Sequence, residues 1–255
     1  MAGQSADGAS TPAPDTAAQQ KLLTSMASYA DQYVSNLPNF ICLQVTRQFE
    51  AGKHPNHWHK GDVLTSKLIF NERQEDRTLQ SVNDKPVIPG TKPWRTPLTT
   101  QGEFGILIGN IFAVRSDAAF TWRGWEVLRG KRLAVFDYSI DGAHSTLTLT
   151  RLNDLGQAVV PYRGSIYADA DSGSIWRITE SGFDIPPEVE TKSISTTVDY
   201  AEVPIAGLSY LLPAHATVLL NTGSSNIRHE IEFKEYRKFE ADSKITYVPN
   251  GDGPY

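Results

Sequence analysis

Tyr162 to Phe183 reads YRGSIYADADSGSIWRITESGF and holds a two-stranded unit with its turn written in. Ser165 to Asp169 and Ser174 to Glu180 are short runs rich in Ile, Tyr, Trp and Thr. Asp171-Ser172-Gly173 between them suits a hairpin whose last turn residue takes positive φ. On the second arm, strict alternation places Trp176 and Ile178 on one face and Ile175, Arg177 and Thr179 on the other, so neither face is plainly wet. That pattern predicts a sheet partly covered on its second face.

Working outward, runs of the same build recur. Asn39 to Glu50, Val63 to Asn71 and Asp76 to Asn83 read as strands, the last two joined by the charged turn Glu72 to Glu75. Ala119 to Leu128, Arg132 to Asp141 and Ser145 to Leu152 precede the hairpin, with Arg129-Gly130 and Asp141-Gly142 as turns. Ser193 to Val203, Ser209 to Asn221 and Asn226 to Phe239 follow it. In the last of these Ile227, His229, Ile231 and Phe233 alternate with Arg228, Glu230, Glu232 and Lys234, the mark of a half-buried strand. Two helices interrupt the pattern. Asp15 or Thr16 caps the first, in which Leu22, Met26, Tyr29 and Tyr33 form an apolar stripe that Pro38 ends. Glu103 to Ala113 is the second, with Phe104, Leu107, Ile108, Ile111 and Phe112 at helical spacing. Lys85 to Thr100, with four prolines, reads as an irregular loop. The expectation is an α+β fold: a large curved antiparallel β-sheet, an incomplete barrel, with an N-terminal amphipathic helix and a short internal helix. Residues 1–14 are expected to form a disordered tail, and residues 15–255 one domain.

A net charge of −5 argues against nucleic acid or an anionic membrane as partner, since both require concentrated Lys and Arg. No run of 18 apolar residues is present, which predicts no transmembrane segment. The single Cys42 sits in the apolar run FICLQV and reads as a buried, inert thiol.

Chemical signatures are sparse. His54, His57 and His59 have a spacing that can offer imidazoles to a metal, but no fourth ligand is evident, so no metal is expected there. Asp169 to Glu180 echoes a calcium loop, yet its glycine falls one position early and strands flank it; a β-turn is the better reading. No nucleophile elbow, phosphate loop or dinucleotide fingerprint occurs. No catalytic residue and no cofactor is assigned. Trp94, Trp122, Trp125 and Trp176 suit either core packing or a ligand-stacking surface.

Several segments carry a resemblance: LPNFICLQVTRQF at 37–49, GEFGILIGNIFA from Gly102, Arg129-Gly130 before a strand, YRGSIYADADSGSIWRI, and the closing EIEFKEYRKFEADSKITY. Together they resemble an uncharacterised family of bacterial exported proteins over nearly the whole chain after residue 30. In layout, the hairpin with its Asp-Ser-Gly turn and the strands after it resemble the lipoprotein-carrier fold of LolA, LolB and RseB, an incomplete barrel that wraps helices and holds acyl chains. The resemblance implies a periplasmic or secreted protein whose signal peptide is absent from this chain. It also implies a non-enzymatic role in binding a hydrophobic ligand such as a lipid or lipoprotein acyl chain. The alternatives are an interaction module for envelope proteins and a hydrolase with its site at the mouth of the barrel. Phe104, Leu107, Ile111, Phe136 and Trp176 are the candidate ligand-lining residues, with ordinary core packing as the rival explanation.

Overall fold

Asp15 starts the first helix of the computed structural model, which describes residues 12–52, 57–88, 105–151 and 156–239. Its carboxylate accepts the Ala18 N–H at 2.8 Å, satisfying one of the unpaired donors of the first turn. Helix α1 runs from Thr16 to Asn36 and stops at Leu37, whose extended backbone is what a following proline requires. Met26, Ala30 and Tyr33 are buried, with Leu22, Leu23, Tyr29 and Val34 packed beside them. No helix among the described residues is long and apolar enough to cross a membrane.

Strands follow as β1 (Phe40–Ala51), β2 (His59–Asn71), β3 (Gln74–Val82) and the two-residue β4 (Lys85–Pro86). After helix α2 (Ile106–Phe112) and a 3₁₀ turn at Val114–Ser116 come β5 (Ala119–Leu128), β6 (Lys131–Ile140), β7 (Thr148–Thr150) and β8 (Gln157–Val159). The chain continues through β9 (Tyr162–Ala168), β10 (Ile175–Gly182), β11 (Ser193–Ile205), β12 (Leu208–Asn221) and β13 (Asn226–Lys238). Among the described residues eleven of these form one antiparallel sheet, ordered β4-β3-β2-β1-β13-β12-β11-β10-β9-β6-β5. The sheet is open, with β4 and β5 at its two edges, and the fold is α+β as expected.

β1, the first strand, pairs along its length with β13, the last, and so joins two meanders. One expectation needs correction: Ser145 to Leu152 does not add a strand to the main sheet. Only Thr148–Thr150 is extended, and it pairs with β8 in a separate two-stranded sheet. Leu149, Ala158, Val160 and Val189 give this flap its own small core, which also takes in Ile194 of β11, so its apolar residues are buried without joining the larger ladder.

The sheet curls around its helices. Eleven strands side by side span roughly 48 Å, whereas a helix with its side chains is about 10–12 Å wide. Met26 and Tyr33 nevertheless belong to one contiguous cluster with Phe40 and Phe70 at one side and Phe136, Ile166 and Ile178 at the other. Tyr33 Oη donates to the Leu211 carbonyl in β12, and the Tyr33 ring meets Tyr200 of β11 edge-on. At the same time the β9–β10 turn rests on α1. Gly173 takes φ +72°, and a Cβ there would stand 2.5 Å from the Ser25 carbonyl group, so only glycine allows the approach.

Candidate functional site

A groove of about 550 Å³ lies where α1, α2, the 3₁₀ turn and the start of β5 meet. Leu23 and Ala27 line it from α1, Ile111 and Phe112 from α2, and Ala118 and Phe120 from the approach to β5. Its rim is polar, with Gln20, Thr24, Ser116 and Asp117. Phe112 and Phe120 stack with ring centroids 5.4 Å apart and form one wall.

Local chemistry sets this geometry. Gly105, at φ +130°, enters α2 so close to α1 that a Cβ would be 2.1 Å from Val34 Cγ2. At the other end Ser116 Oγ lies 2.9 Å from the Ile111 carbonyl oxygen and 2.7 Å from that of Ala113, within donating range of both. Asp117 then takes a left-handed conformation, φ 45°, which turns the chain into β5 and brings Phe120 back over Phe112.

Of the five candidate residues, Ile111 reaches the groove, fully buried on its floor. Leu107 is half-buried against the main core, and Phe104 lies outside the described residues. Phe136 is buried in the core edge-on to Trp122, centroids 5.1 Å apart. Trp176 is on the outer face of the sheet, in a small cluster with Leu133, Val135 and Tyr167. A register shift between Ile175 and Arg177 explains this: Ile175 and Ile178 share the inner face, and Trp176 and Arg177 point outward. The outer cluster is the partial second-face cover that the hairpin sequence called for. Leu23 and Phe120, missed as lining residues, carry no local mark, since each reads as an ordinary helix or strand residue until the αL turn at Asp117 brings them together.

The titratable groups of interest lie elsewhere on the inner face. Across the strands one row runs from Gln48 of β1 through His229, Val218, Thr196 and Glu180 to Gly164 of β9. It ends at Tyr138 and at Phe120 in the groove wall. Burial pushes the Glu180 carboxyl up to about 7, and it lowers the pKa of His229, which is 2% exposed. Tyr138 Oη donates to the Thr179 carbonyl at 2.9 Å, and burial raises its pKa well above the ordinary tyrosine value. Cys42 is buried and its thiol is pushed up to about 12, mainly by desolvation. Of the loop histidines, His54 is outside the described residues and His59 starts β2; among the described residues no three His, Cys, Asp or Glu side chains converge as metal ligands.

No protein-family model and no curated protein matches the chain. Among solved structures it is similar to a LolA superfamily protein from Nitrosomonas europaea, with TM-score 0.43 and 10% identity over 86% of this chain and 94% of that one. A DUF1329 family protein from Desulfovibrio piger gives 0.39 at 10% identity over 85% and 92% of the two chains. The Mycobacterium tuberculosis lipoprotein LppX gives 0.27, also at 10% identity, over 85% and 95%. Likenesses this distant carry no functional argument, which rests instead on the chain's own geometry.

Proposed function

We propose that the chain binds a hydrophobic ligand, a lipid or acyl chain, in the groove between α1, α2 and β5. The observation that carries this reading is the groove itself: about 550 Å³, within the range of small-molecule sites, with apolar walls and a polar rim. A buried methylene contributes about 0.8 kcal/mol. An acyl chain of ten or more therefore gains roughly 8 kcal/mol, enough to exceed the lower range of association costs, about 4 kcal/mol and upward. An exported setting and envelope-protein partners accompany this reading and rest on the sequence resemblance alone.

Ala27 offers a clean test, because it is exposed on α1 yet lines the groove, so a large side chain there fills the site without entering the core. Titration with N-phenyl-1-naphthylamine, a neutral apolar fluorophore, should show saturable binding that Ala27→Trp removes while the circular dichroism spectrum is kept. Absence of saturable binding to the unmodified chain, with no lipid co-purifying in native mass spectrometry, would falsify the proposal.

A further inference from the structure

A second groove, of about 380 Å³, lies on the other side of α1. Ala18, Lys21, Leu22 and Ser25 line it from the helix, Trp125 from β5 and Asp171 from the β9–β10 turn. The helical repeat sets these helix positions nearly opposite Gln20, Leu23, Thr24 and Ala27, which face the first groove, with buried Met26 between the two sets. The walls are held in place by their own contacts. The Trp125 indole donates to the Pro12 carbonyl, the Arg132 guanidinium stands 3.9 Å from its ring centre, and the Trp122 ring meets it at 5.1 Å. In the turn, Asp169 accepts the backbone N–H groups of Asp171 and Ser172 and pairs with Lys131 at 3.1 Å, while Gly173 rests on Ser25.

Against these tied groups, three polar side chains of the groove stand free. The Lys21 ammonium, the Ser25 hydroxyl and the Asp171 carboxylate make no hydrogen bond or ion pair among the described residues, with one another or with any other group. Lys21 and Asp171 are exposed and come from different walls; Leu22, Ser25 and Trp125 are half-buried. Because the two charges do not close on each other, the groove keeps room between a cation, an anion and an aromatic ring, and carries no net charge. A lone anion is drawn to Lys21 and repelled by Asp171, and a lone ammonium meets the reverse. A ligand with both signs satisfies each wall, and an alkylammonium end also suits an indole ring.

We propose that this groove binds a zwitterion that joins a phosphate to an alkylammonium. The phosphate, with several acceptor oxygens, takes both the Lys21 ammonium and the Ser25 hydroxyl, and the alkylammonium lies between Asp171 and Trp125. A phospholipid head group and a free phosphoalkylammonium share that chemistry. The inference stands apart from the first groove, which lies across the helix.

The test follows the indole N–H resonance of Trp125 and the amide resonances of Lys21, Ser25 and Asp171 while the full chain is titrated, near neutral pH and at one ionic strength, with phosphocholine, inorganic phosphate and choline. Phosphocholine should saturate these shifts at about fivefold lower concentration than phosphate or choline, the scale of one exposed charge pair. Lys21→Asp or Asp171→Lys alone should abolish the preference, and the double exchange, which restores one charge of each sign, should recover it; both positions are exposed, so the fold is kept. Dodecylphosphocholine below its micelle concentration separates the sources. Tighter binding than phosphocholine assigns a lipid head group and equal binding a soluble zwitterion, either result upholding the site. Ala27→Trp should leave the titration unchanged, so failure of the first groove is read apart from failure of this one. No saturable shift with phosphocholine, equal binding of phosphate or choline, or a preference untouched by the single exchanges overturns the proposal.

Discussion

The two ends of the inner face are made by the same strands and built on opposite terms. At the end beneath α1, Phe40 stacks on Phe70 at 5.1 Å and packs on Tyr236 at 5.4 Å. Every polar tip named there has an acceptor: Tyr33 Oη donates to the Leu211 carbonyl, and Tyr236 Oη to that of Pro213. In the row of Glu180 and His229, His229 is buried while Gln48, Thr196 and Glu180 are half-buried, and Gln48 Nε2 is buried with no hydrogen-bond partner. The first end repays its burial in stability; the second gives some of that stability up. The difference teaches that burial alone does not identify core, and that the satisfied or unsatisfied state of the polar atoms does.

The comparison can be broken first at its dry end. Met26→Asp places a carboxylate in a fully buried position and should cost about 4 kcal/mol, read as the shift in a urea unfolding curve; a loss below about 1 kcal/mol would mean that α1 does not anchor the core. Next in size, Gly173→Ala forces a Cβ against the Ser25 backbone at positive φ and should destabilise by about 2–3 kcal/mol, with hydrogen exchange accelerated in α1 and in the β9–β10 turn together.

The polar row yields a smaller effect with a pH signature. The residue Glu180 keeps some exposure while its carboxyl is desolvated, so the full shift overstates its weight. Its folded pKa of about 7 exceeds the ordinary glutamate value of about 4.3, so the folded chain holds the proton more tightly. That contribution is complete below pH ~4.3, declines as pH rises and is gone above about 7. Glu180→Gln should remove about 2 kcal/mol of pH dependence across this window, measured as the difference from the unmodified chain at each pH. Taking the difference also cancels the opposing trend of His229, whose lowered pKa weakens the fold as pH falls. A pH-independent difference would place Glu180 in water. Ala27→Trp should have the least effect on stability, about 0.5 kcal/mol, because the site it fills is outside the core.

Much of this was legible along the chain. The Asp-Ser-Gly turn needed a left-handed last residue, and Gly173 takes φ +72°. The stripe at Met26 and Tyr33 is the buried face of α1, the edges of β5 and β6 fall within a residue of the turn signals, and His229, Ile231 and Phe233 alternate inward as read. Periodicity, capping and turn chemistry act over a few residues, and so a sequence displays them directly.

What tertiary structure alone decided involves partners far apart or single irregularities that invert a pattern. Nothing in Asn39 to Glu50 says that its neighbour is a strand nearly 190 residues later, yet Thr46 sits opposite Ile231 and Gln48 opposite His229. Strict alternation assigned Trp176 inward, and one bulge at Ile175 turned it out, because a period of two offers no protection against a one-residue shift. The flap of β7 and β8 satisfies the same apolar residues as a further strand of the main sheet would, so composition does not separate them. Glu180 reads as an ordinary polar residue on a strand; the β1–β13 join and the curl of the sheet, both long-range choices, put it inside.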